Sequence, residues 1–121
     1  MNALLSGLRV VELASDRAAY AGKLMGDLGA DVIVVEAPGG HKTRGYGPFV
    51  NDVADPDNCL WWWHYNTSKR SVVLDLQSEE GRQSFRKLAM SADIVLEGED
   101  PGVLDALGID CLLYTSDAAD E

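Results

Sequence analysis

The residues of this sequence that are able to bind or react follow four short, apolar stretches. Each stretch is rich in β-branched residues, a composition typical of strands. Ligands of open parallel sheets bind outside the carboxyl ends of the strands. The pattern therefore predicts that one binding site is formed by four separate segments, which are 14–18, 37–40, 74–77 and 98–100.

Three carboxylates belong to these segments, at Asp16, Asp75 and Asp100. Capping of helices or exposure to solvent explains such carboxylates at least as well as catalysis does. Lys69 and Arg70 form a conspicuous basic pair, but they precede their predicted strand and so belong to the opposite edge of the sheet. We therefore interpret this pair as structural or interfacial.

Two common nucleotide-binding motifs are absent from these segments. A dinucleotide fingerprint needs glycines in the first strand-to-helix turn so that the backbone can approach the pyrophosphate, but 14–19 contains none. Glu36, after the second predicted strand, resembles the ribose-binding acid of dinucleotide folds, although that feature alone is weak. The glycines at 39–40 have the wrong spacing to Lys42 and Thr43 for a P-loop. NAD and nucleoside triphosphates are therefore disfavoured.

The composition excludes further classes of partner. A formal net charge of −10 at pH 7 argues against nucleic acid, because phosphate binding requires a basic face. No apolar run reaches the ~20 residues that cross a membrane, and the amino terminus carries no export signal, so we expect a cytoplasmic protein. Cys59 and Cys111 form neither a disulfide framework nor, with His41 and His64, a metal site.

The hydrophobic periodicity predicts two βαβ units. In the first unit, strand 8–13 is followed by a helix that Ser15 or Asp16 caps and that presents one apolar face. A second strand follows at 31–35, after a left-handed residue at Gly29. The apolar face of the helix comprises Ala21, Leu24, Met25 and Leu28.

In the second unit, strand 71–76 precedes a helix capped by Ser78, and a fourth strand follows at 93–97. Pro101 opens a short helical turn that ends near Gly108. The predicted fold class is α/β, with Rossmann-like βαβ units, a mainly parallel sheet and right-handed crossovers. The core-facing residues of the second helix are Gly81, Phe85, Leu88 and Ala89.

Two unusual segments lie between the units. Loop 36–57 is long enough to indicate a functional or disordered segment. The composition of segment 59–66 predicts a short helix. Trp61, Trp62 and Trp63 cannot share one face of this helix, because neighbouring residues lie about 100° apart around its axis. We expect at least one of these side chains to meet a ligand, another subunit or solvent, with burial the simpler alternative for the group.

Several motifs resemble the family III CoA-transferases, the group that contains formyl-CoA and carnitine CoA-transferases and the α-methylacyl-CoA racemases. The motifs are LSGLRVVEL, AYAGKLMGDLGADVIVVEAPGG, TRGYGPF and WHYNTSKRSVVLDLQSEEGRQSFRKL, in that order over about residues 5–110. The resemblance implies a Rossmann-like large domain and two chains interlinked like rings in a homodimer. It also implies transfer of CoA between acyl-CoA and carboxylic acid substrates, with no tightly bound cofactor. The implied catalytic aspartate, which forms an anhydride and then a thioester, lies beyond residue 110.

The resemblance further implies which residues contact CoA, and this sequence departs from the family pattern among them. Ala37 stands where formyl-CoA transferase has an arginine against the adenine, and Ala106 replaces a basic residue that is common there. Segment 98–100 replaces an Asn-Phe-Gly-type or Asn-Phe-Arg-type sequence. Losing cations near a polyanion opposes binding, so either CoA is held differently here or this copy is the non-catalytic half of a fused pair. The implied contacts are Asp16, Arg17, Ala37, Leu74, Asp75, Leu76, Gln77, Gly98, Glu99, Asp100 and Ala106.

The last residues, 111–121, read CLLYTSDAADE and match the translation of a transposon-end sequencing adapter codon by codon. We therefore expect 1–110 to be a truncated N-terminal part of the CoA-transferase large domain, with an incomplete sheet. We expect 111–121 to be an artefactual tail that adds nothing to the fold, and the fragment to be inactive. Two alternatives stay open: a racemase of the same fold, with acid and base residues outside this piece, and a stand-alone nucleotide-binding or interaction module.

Overall fold

Strands and helices alternate along the part of the chain that the computed structural model describes, which is residues 3–109 of 121. No helix in this part is long and apolar enough to cross a membrane. The predicted tail 111–121 lies outside the described residues. The elements are β1 (Arg9–Leu13), α1 (Ala19–Asp27), β2 (Asp31–Glu36), α2 (Leu60–Tyr65), β3 (Lys69–Val73), α3 (Glu79–Met90), β4 (Ile94–Leu96) and α4 (Val103–Ala106).

The four strands form one parallel sheet in the order β3-β2-β1-β4. The chain first adds β2 and β3 on one side of β1 and then places β4 on the other side. In doubly wound folds, such a reversal opens a crevice at the carboxyl ends of the two strands that flank it, here β1 and β4. The predicted α/β class with a parallel sheet is confirmed, and its topology directs a ligand to the space between 14–18 and 98–100.

The sheet separates two apolar layers. Alternate side chains of a strand point to opposite faces, and helices cover both faces, which explains why β1 and β2 are almost continuously buried. On one face, Val11 packs with Phe85 of α3 and Leu104 of α4. On the other face, Val10 is buried beneath Met25 of α1. The two layers hold the strand ends in fixed positions.

α3 forms as the sequence predicted. The Ser78 hydroxyl accepts a hydrogen bond from the backbone N–H of Gly81 at 3.0 Å and so caps the helix. Gly81, Phe85 and Ala89 are buried, and Leu88 packs half-buried against the same cluster. The predicted core face of this helix is confirmed.

The cap of α1 differs from the prediction. The N-cap is Ala18, which makes no side-chain capping bond, rather than Ser15 or Asp16. The Ser15 hydroxyl instead accepts a hydrogen bond from the N–H of Arg17 at 3.0 Å. This bond stabilises a turn between strand and helix, and the helix therefore starts later than the sequence predicted.

The buried face of α1 is also rotated from the prediction. The buried residues of the helix are Ala19 and Gly22, whereas Leu24 and Leu28 are each 44% exposed. Gly22 lies against a charged side chain of β1, and a Cβ atom there would sit 1.8 Å from Oε1 of Glu12. The missing side chain lets the helix approach the sheet closely, which turns the two leucines outward.

β3 starts at Lys69, two residues earlier than predicted, so Lys69 and Arg70 lie inside the strand and not before it. Polar residues at its start hid the strand from a prediction based on hydrophobicity. Lys69 forms an ion pair with Glu12, and Arg70 forms one with Asp31. These contacts fit the structural interpretation of the basic pair.

The segment between β2 and β3 is folded into short turns. Loop 36–57 carries three 3-10 helices or parts of them, Lys42–Gly45, Val50–Asp52 and Pro56–Asn58. In α2, Trp62 is buried and its ring lies 4.2 Å from the guanidinium of Arg44, whereas Trp63 is 46% exposed. The expectation that at least one tryptophan would meet a ligand, another subunit or solvent is confirmed by Trp63, which is open to solvent.

Candidate functional site

The carboxyl ends of β1 and β4 enclose a polar cleft of about 380 Å³. It lies at the reversal of strand order, where the doubly wound topology directs a ligand. We call it the switch-point cleft. Its lining residues are Ser15, Asp16, Arg17, His41, Lys42, Gly98, Glu99 and Asp100.

Arg17 ties the two sides of the switch-point cleft together. Its Nη1 donates hydrogen bonds to the carbonyl oxygen of Gly98 at 3.1 Å and to Oδ1 of Asp100 at 2.9 Å. The hydrogen bond to Asp100 and the charge of that carboxylate raise the pKa of Arg17 above its usual range. Gly98 permits this close approach, because a Cβ atom there would lie 2.6 Å from Oγ of Ser15.

Asp16 lies on the outer side of the same cleft. Its Oδ2 accepts a hydrogen bond from the hydroxyl of Tyr46 at 2.9 Å, and this bond lowers the pKa of Asp16 and raises that of Tyr46. The Tyr46 ring meets Trp61 edge-on at 5.2 Å between centroids. Asp16 is thus an ionised, oriented hydrogen-bond acceptor rather than a proton donor at neutral pH.

His41 lines the switch-point cleft and also a second cleft beside it. Its Nδ1 is 2.8 Å from Oγ1 of Thr43, and it accepts a longer hydrogen bond from the Thr43 backbone N–H. Burial, together with the positive charge of Lys42, lowers the pKa of His41 below its usual range. His41 is therefore neutral at pH 7 and adds no positive charge to the cleft.

A second cleft of about 250 Å³ opens beside the first, across the ends of β1, β2 and β3. We call it the apolar cleft, because most of its walls are aliphatic. It shares His41 and Glu99 with the switch-point cleft, so the two clefts lie next to each other. Its lining residues are Leu13, Ala14, Val35, Glu36, Ala37, His41, Leu74, Asp75, Leu76, Gln77, Glu99, Val103, Leu104 and Leu107.

Glu36, the candidate ribose-binding acid, is committed to protein contacts. Its carboxylate is buried, pairs with Arg44 through Nε and Nη2, and accepts further hydrogen bonds from the Ser71 hydroxyl and the His41 N–H. Burial alone would raise the pKa of Glu36, but the bonds from Arg44, His41 and Ser71 outweigh it and lower the pKa. A ribose would have to displace these partners, which agrees with the exclusion of a dinucleotide site.

Asp75 shapes the floor of the apolar cleft. Its Oδ1 accepts the N–H of Gln77 at 3.0 Å, and its carbonyl oxygen accepts the Ser78 hydroxyl at 2.8 Å. A Cβ atom on Gly81 would lie 1.8 Å from that carbonyl oxygen. Asp75 therefore holds the turn between β3 and α3 and is placed for structure rather than for proton transfer.

The structure brings together all but one of the residues that the family resemblance implies as CoA contacts. Asp16, Arg17, Gly98 and Asp100 line the switch-point cleft, Ala37 and the segment 74–77 line the apolar cleft, and Glu99 lines both. The exception, Ala106 on α4, is exposed and does not line either cleft.

Sequence reasoning did not place Lys42, His41 and Tyr46 at the site. They belong to the long loop after β2, and no hydrophobic periodicity reports how that loop folds back. The unusual length of the loop was the only signal in the sequence. Within residues 3–109, no group of His, Cys, Asp and Glu side chains is arranged to hold a metal ion.

Comparison with known proteins identifies the family. The model of CoA-transferase family III matches residues 5–113. A succinate–glutarate CoA-transferase of Agrobacterium fabrum is 43% identical over 110 residues, which are 88% of this chain and 28% of that protein. Subunit BbsE of a succinyl-CoA:(R)-benzylsuccinate CoA-transferase of Thauera aromatica is 39% identical over 104 residues, 86% of this chain and 25% of that protein.

A solved structure shows the same fold. A CAIB/BAIF family protein from Brucella suis superposes with a TM-score of 0.84 at 38% sequence identity, covering 96% of this chain and 31% of that one. The chain therefore belongs to CoA-transferase family III. It spans about a quarter to a third of the length of the relatives named here.

Proposed function

We propose that this chain supplies the CoA-binding strand ends of an enzyme that moves CoA between carboxylic acids. The observation that carries the proposal is the family match over residues 5–113, together with two adjacent clefts at the carboxyl ends of the strands. The substrates of the whole enzyme would be an acyl-CoA and a free carboxylic acid. CoA would act as a substrate and not as a tightly bound cofactor.

The proposed contacts follow the two clefts. The switch-point cleft would contact CoA through Asp16, Arg17 and 98–100, and the apolar cleft through Ala37 and 74–77. The aliphatic walls of the second cleft suit an uncharged part of the ligand, because most of the area that binds a small molecule is usually apolar. Ala106 stays a predicted contact that lies outside both linings.

We also propose that the 121-residue chain alone does not transfer CoA. The nucleophilic aspartate that the resemblance implies would lie beyond residue 110, and the chain spans only 25% and 28% of the length of the two curated relatives. The clefts bind and orient, but no side chain in them is proposed to form the anhydride. The whole enzyme would be a cytoplasmic homodimer of interlinked chains.

Transfer is favoured over racemisation by the comparisons. Both curated relatives named above are described as CoA-transferases. A racemase would need an acid and a base on either side of an α-carbon, and two of the three carboxylates that line the switch-point cleft, Asp16 and Asp100, are instead held by Tyr46 and Arg17.

Two measurements on the purified chain test the proposal. We expect CoA to bind in isothermal titration calorimetry, and we expect no incorporation of ¹³C-labelled succinate into succinyl-CoA above a protein-free control. Absence of CoA binding would overturn the assignment of the clefts. Detectable exchange would overturn the claim that the chain lacks the reacting residue.

A further inference from the structure

The long loop after β2 forms part of the wall of the switch-point cleft. It does so with turn 41–46, which is the 3-10 helix Lys42–Gly45 with its two caps. His41 at one end lines the cleft, and Tyr46 at the other end donates its hydroxyl hydrogen to Asp16. Backbone hydrogen bonds of 3.0 and 3.2 Å close the turn. The side chain that anchors this turn to the rest of the molecule therefore sets the position of both ends.

Arg44 anchors the turn to the end of β2. Its Nε and Nη2 donate to the two carboxylate oxygens of Glu36 at 2.6 and 2.9 Å, a bidentate pair. The pair is shielded from water, since the Glu36 side chain is 2% exposed and that of Arg44 is 18% exposed. Gly40 permits this arrangement, because a Cβ atom there would lie 2.8 Å from Cδ of Arg44. The geometry of the pair fixes the direction of the arginine as well as its distance from the strand.

The same guanidinium group also contacts the far end of the loop. Its Nη1 donates to the carbonyl oxygen of Pro56 at 3.1 Å and lies 3.6 Å from Oδ1 of Asp57. The group lies 4.2 Å from the centroid of the buried Trp62 ring on α2, a cation–π contact. Arg44 thus joins the end of β2, both ends of the loop and the helix that follows it.

We infer that Arg44 is a positioning residue, which holds turn 41–46 at the carboxyl ends of the strands and thereby shapes the wall of the switch-point cleft. Arg44 lines neither cleft, so it acts through His41 and Tyr46 and not through contact with a ligand. The consequence for binding rests on the proposed function, whereas the position of the turn does not.

The first test measures the position of the turn by NMR. In the parent chain, the ring centroids of Tyr46 and Trp61 are 5.2 Å apart, which is close enough for a nuclear Overhauser effect between their protons. We expect Arg44→Lys to abolish this effect, because an ammonium group cannot form the bidentate pair. Arg70→Lys is the matched control, since Arg70 makes a bidentate pair with Asp31 at the amino end of β2. The control should keep the effect.

A second variant separates positioning from folding. The double variant Glu36→Gln, Arg44→Met removes both charges, so no buried charge is left without a partner and the chain should fold. The effect between Tyr46 and Trp61 should again be absent. A folded variant of either kind that keeps the effect would overturn the inference. Loss of the native circular dichroism spectrum in both variants would also overturn it, because Arg44 would then serve the fold as a whole.

The third measurement connects the turn to binding. We expect Arg44→Lys to weaken CoA binding about tenfold in calorimetry, which corresponds to about 1.4 kcal/mol, and Arg70→Lys to leave it unchanged. If Arg44→Lys loses the Overhauser effect and still binds CoA like the parent, the site does not depend on the turn and the inference is wrong, while the proposed function stands. If the parent does not bind CoA, the proposed function fails, and the Overhauser effect alone decides whether Arg44 positions the turn.

Discussion

Two ion pairs of this chain have the same chemistry and opposite surroundings. Glu12 of β1 pairs with Lys69 of β3 beneath α1, where the two side chains are 0% and 1% exposed. Arg17 and Asp100 pair across the switch-point cleft and are mostly exposed. Both pairs connect segments that are far apart in sequence, but only the second leaves its charges accessible to another molecule.

The buried pair is enclosed on every side. Lys69 Nζ lies 2.8 Å from Oε1 and 3.0 Å from Oε2 of Glu12, and it also donates to the carbonyl of Ala19 and to Oδ1 of Asn66. Its hydrogen bond to the carboxylate is directed at Oε2, and within residues 3–109 Oε1 has ion-pair contact but no hydrogen bond. Burial raises the pKa of Glu12 and lowers that of Lys69, although each partner opposes the other's shift.

The difference in exposure suits the buried pair to stabilising the fold and the exposed pair to binding. Taking charges out of water is costly, so a buried pair remains stable only if both partners stay. A pair in solvent can exchange one partner for a ligand at small cost. The buried pair therefore fixes α1 against the sheet, whereas the exposed pair leaves both of its charges accessible to another molecule.

The largest expected effect is at Lys69. Lys69→Met leaves the Glu12 carboxylate buried without a cation, so we expect a loss of about 3–5 kcal/mol of unfolding free energy. Urea denaturation followed by circular dichroism measures it. The adjacent Arg70→Gln removes an exposed charge from the same strand and serves as the control. A loss below about 1 kcal/mol, within the range of ordinary point changes, would show that the buried pair does not hold the fold.

A second variant tests whether the ionised carboxylate of Glu36, which is buried and hydrogen-bonded, stabilises the fold. Glu36→Gln should cost about 2 kcal/mol near pH 7, because hydrogen bonds to a charged group are lost. The folded-state pKa of Glu36 lies below its unfolded value of 4.5. Its contribution is therefore present above that value and is lost as the pH falls through the folded pKa. The difference in unfolding free energy between parent and variant should shrink as the pH falls below 4.5.

The control for this pH dependence is Glu80→Gln, on the exposed first turn of α3. The difference in unfolding free energy between the parent and Glu80→Gln should not shrink in the same way as the pH falls. If the difference in unfolding free energy between the parent and Glu36→Gln stays constant down to low pH, the ionised carboxylate is not the stabilising species.

The smallest effect on stability is expected at Arg17. Arg17→Gln removes the exposed pair with Asp100, and the denaturation midpoint should stay within the error of the parent. CoA affinity should nevertheless fall, because the cation lines the switch-point cleft. A clear loss of stability without a change in CoA affinity would show that the exposed pair serves the fold rather than binding, and would contradict the comparison of the two ion pairs.

The sequence predicted the fold where local signals and packing agree. α3 carries its capping serine and its apolar spacing in the same segment, and both were found in the structure. The orientation of α1 was missed because it depends on a contact with the Glu12 side chain, at Gly22, that has no local signature. The start of β3 was missed because the charge of Lys69 is neutralised by a residue 57 positions away.

The candidate site was predictable in outline and not in its charges. The rule for parallel strands selected the segments that line the clefts, since it depends only on strand order and direction. It did not select Lys42 or Tyr46, because a loop can return to the sheet in many ways. Their positions depend on the Arg44–Glu36 pair and on the packing of Trp61 and Trp62.

The most direct test of the account is to map CoA binding residue by residue with ¹H–¹⁵N correlation spectra of the labelled chain. We predict that CoA shifts the amide signals of 15–17, 74–77 and 98–100, which line the two clefts. Signals at the amino ends of the strands, such as Ala30 and Ser68, should not move. Shifts that cluster at that opposite edge, or saturable binding without any shift at the three segments, would contradict the account.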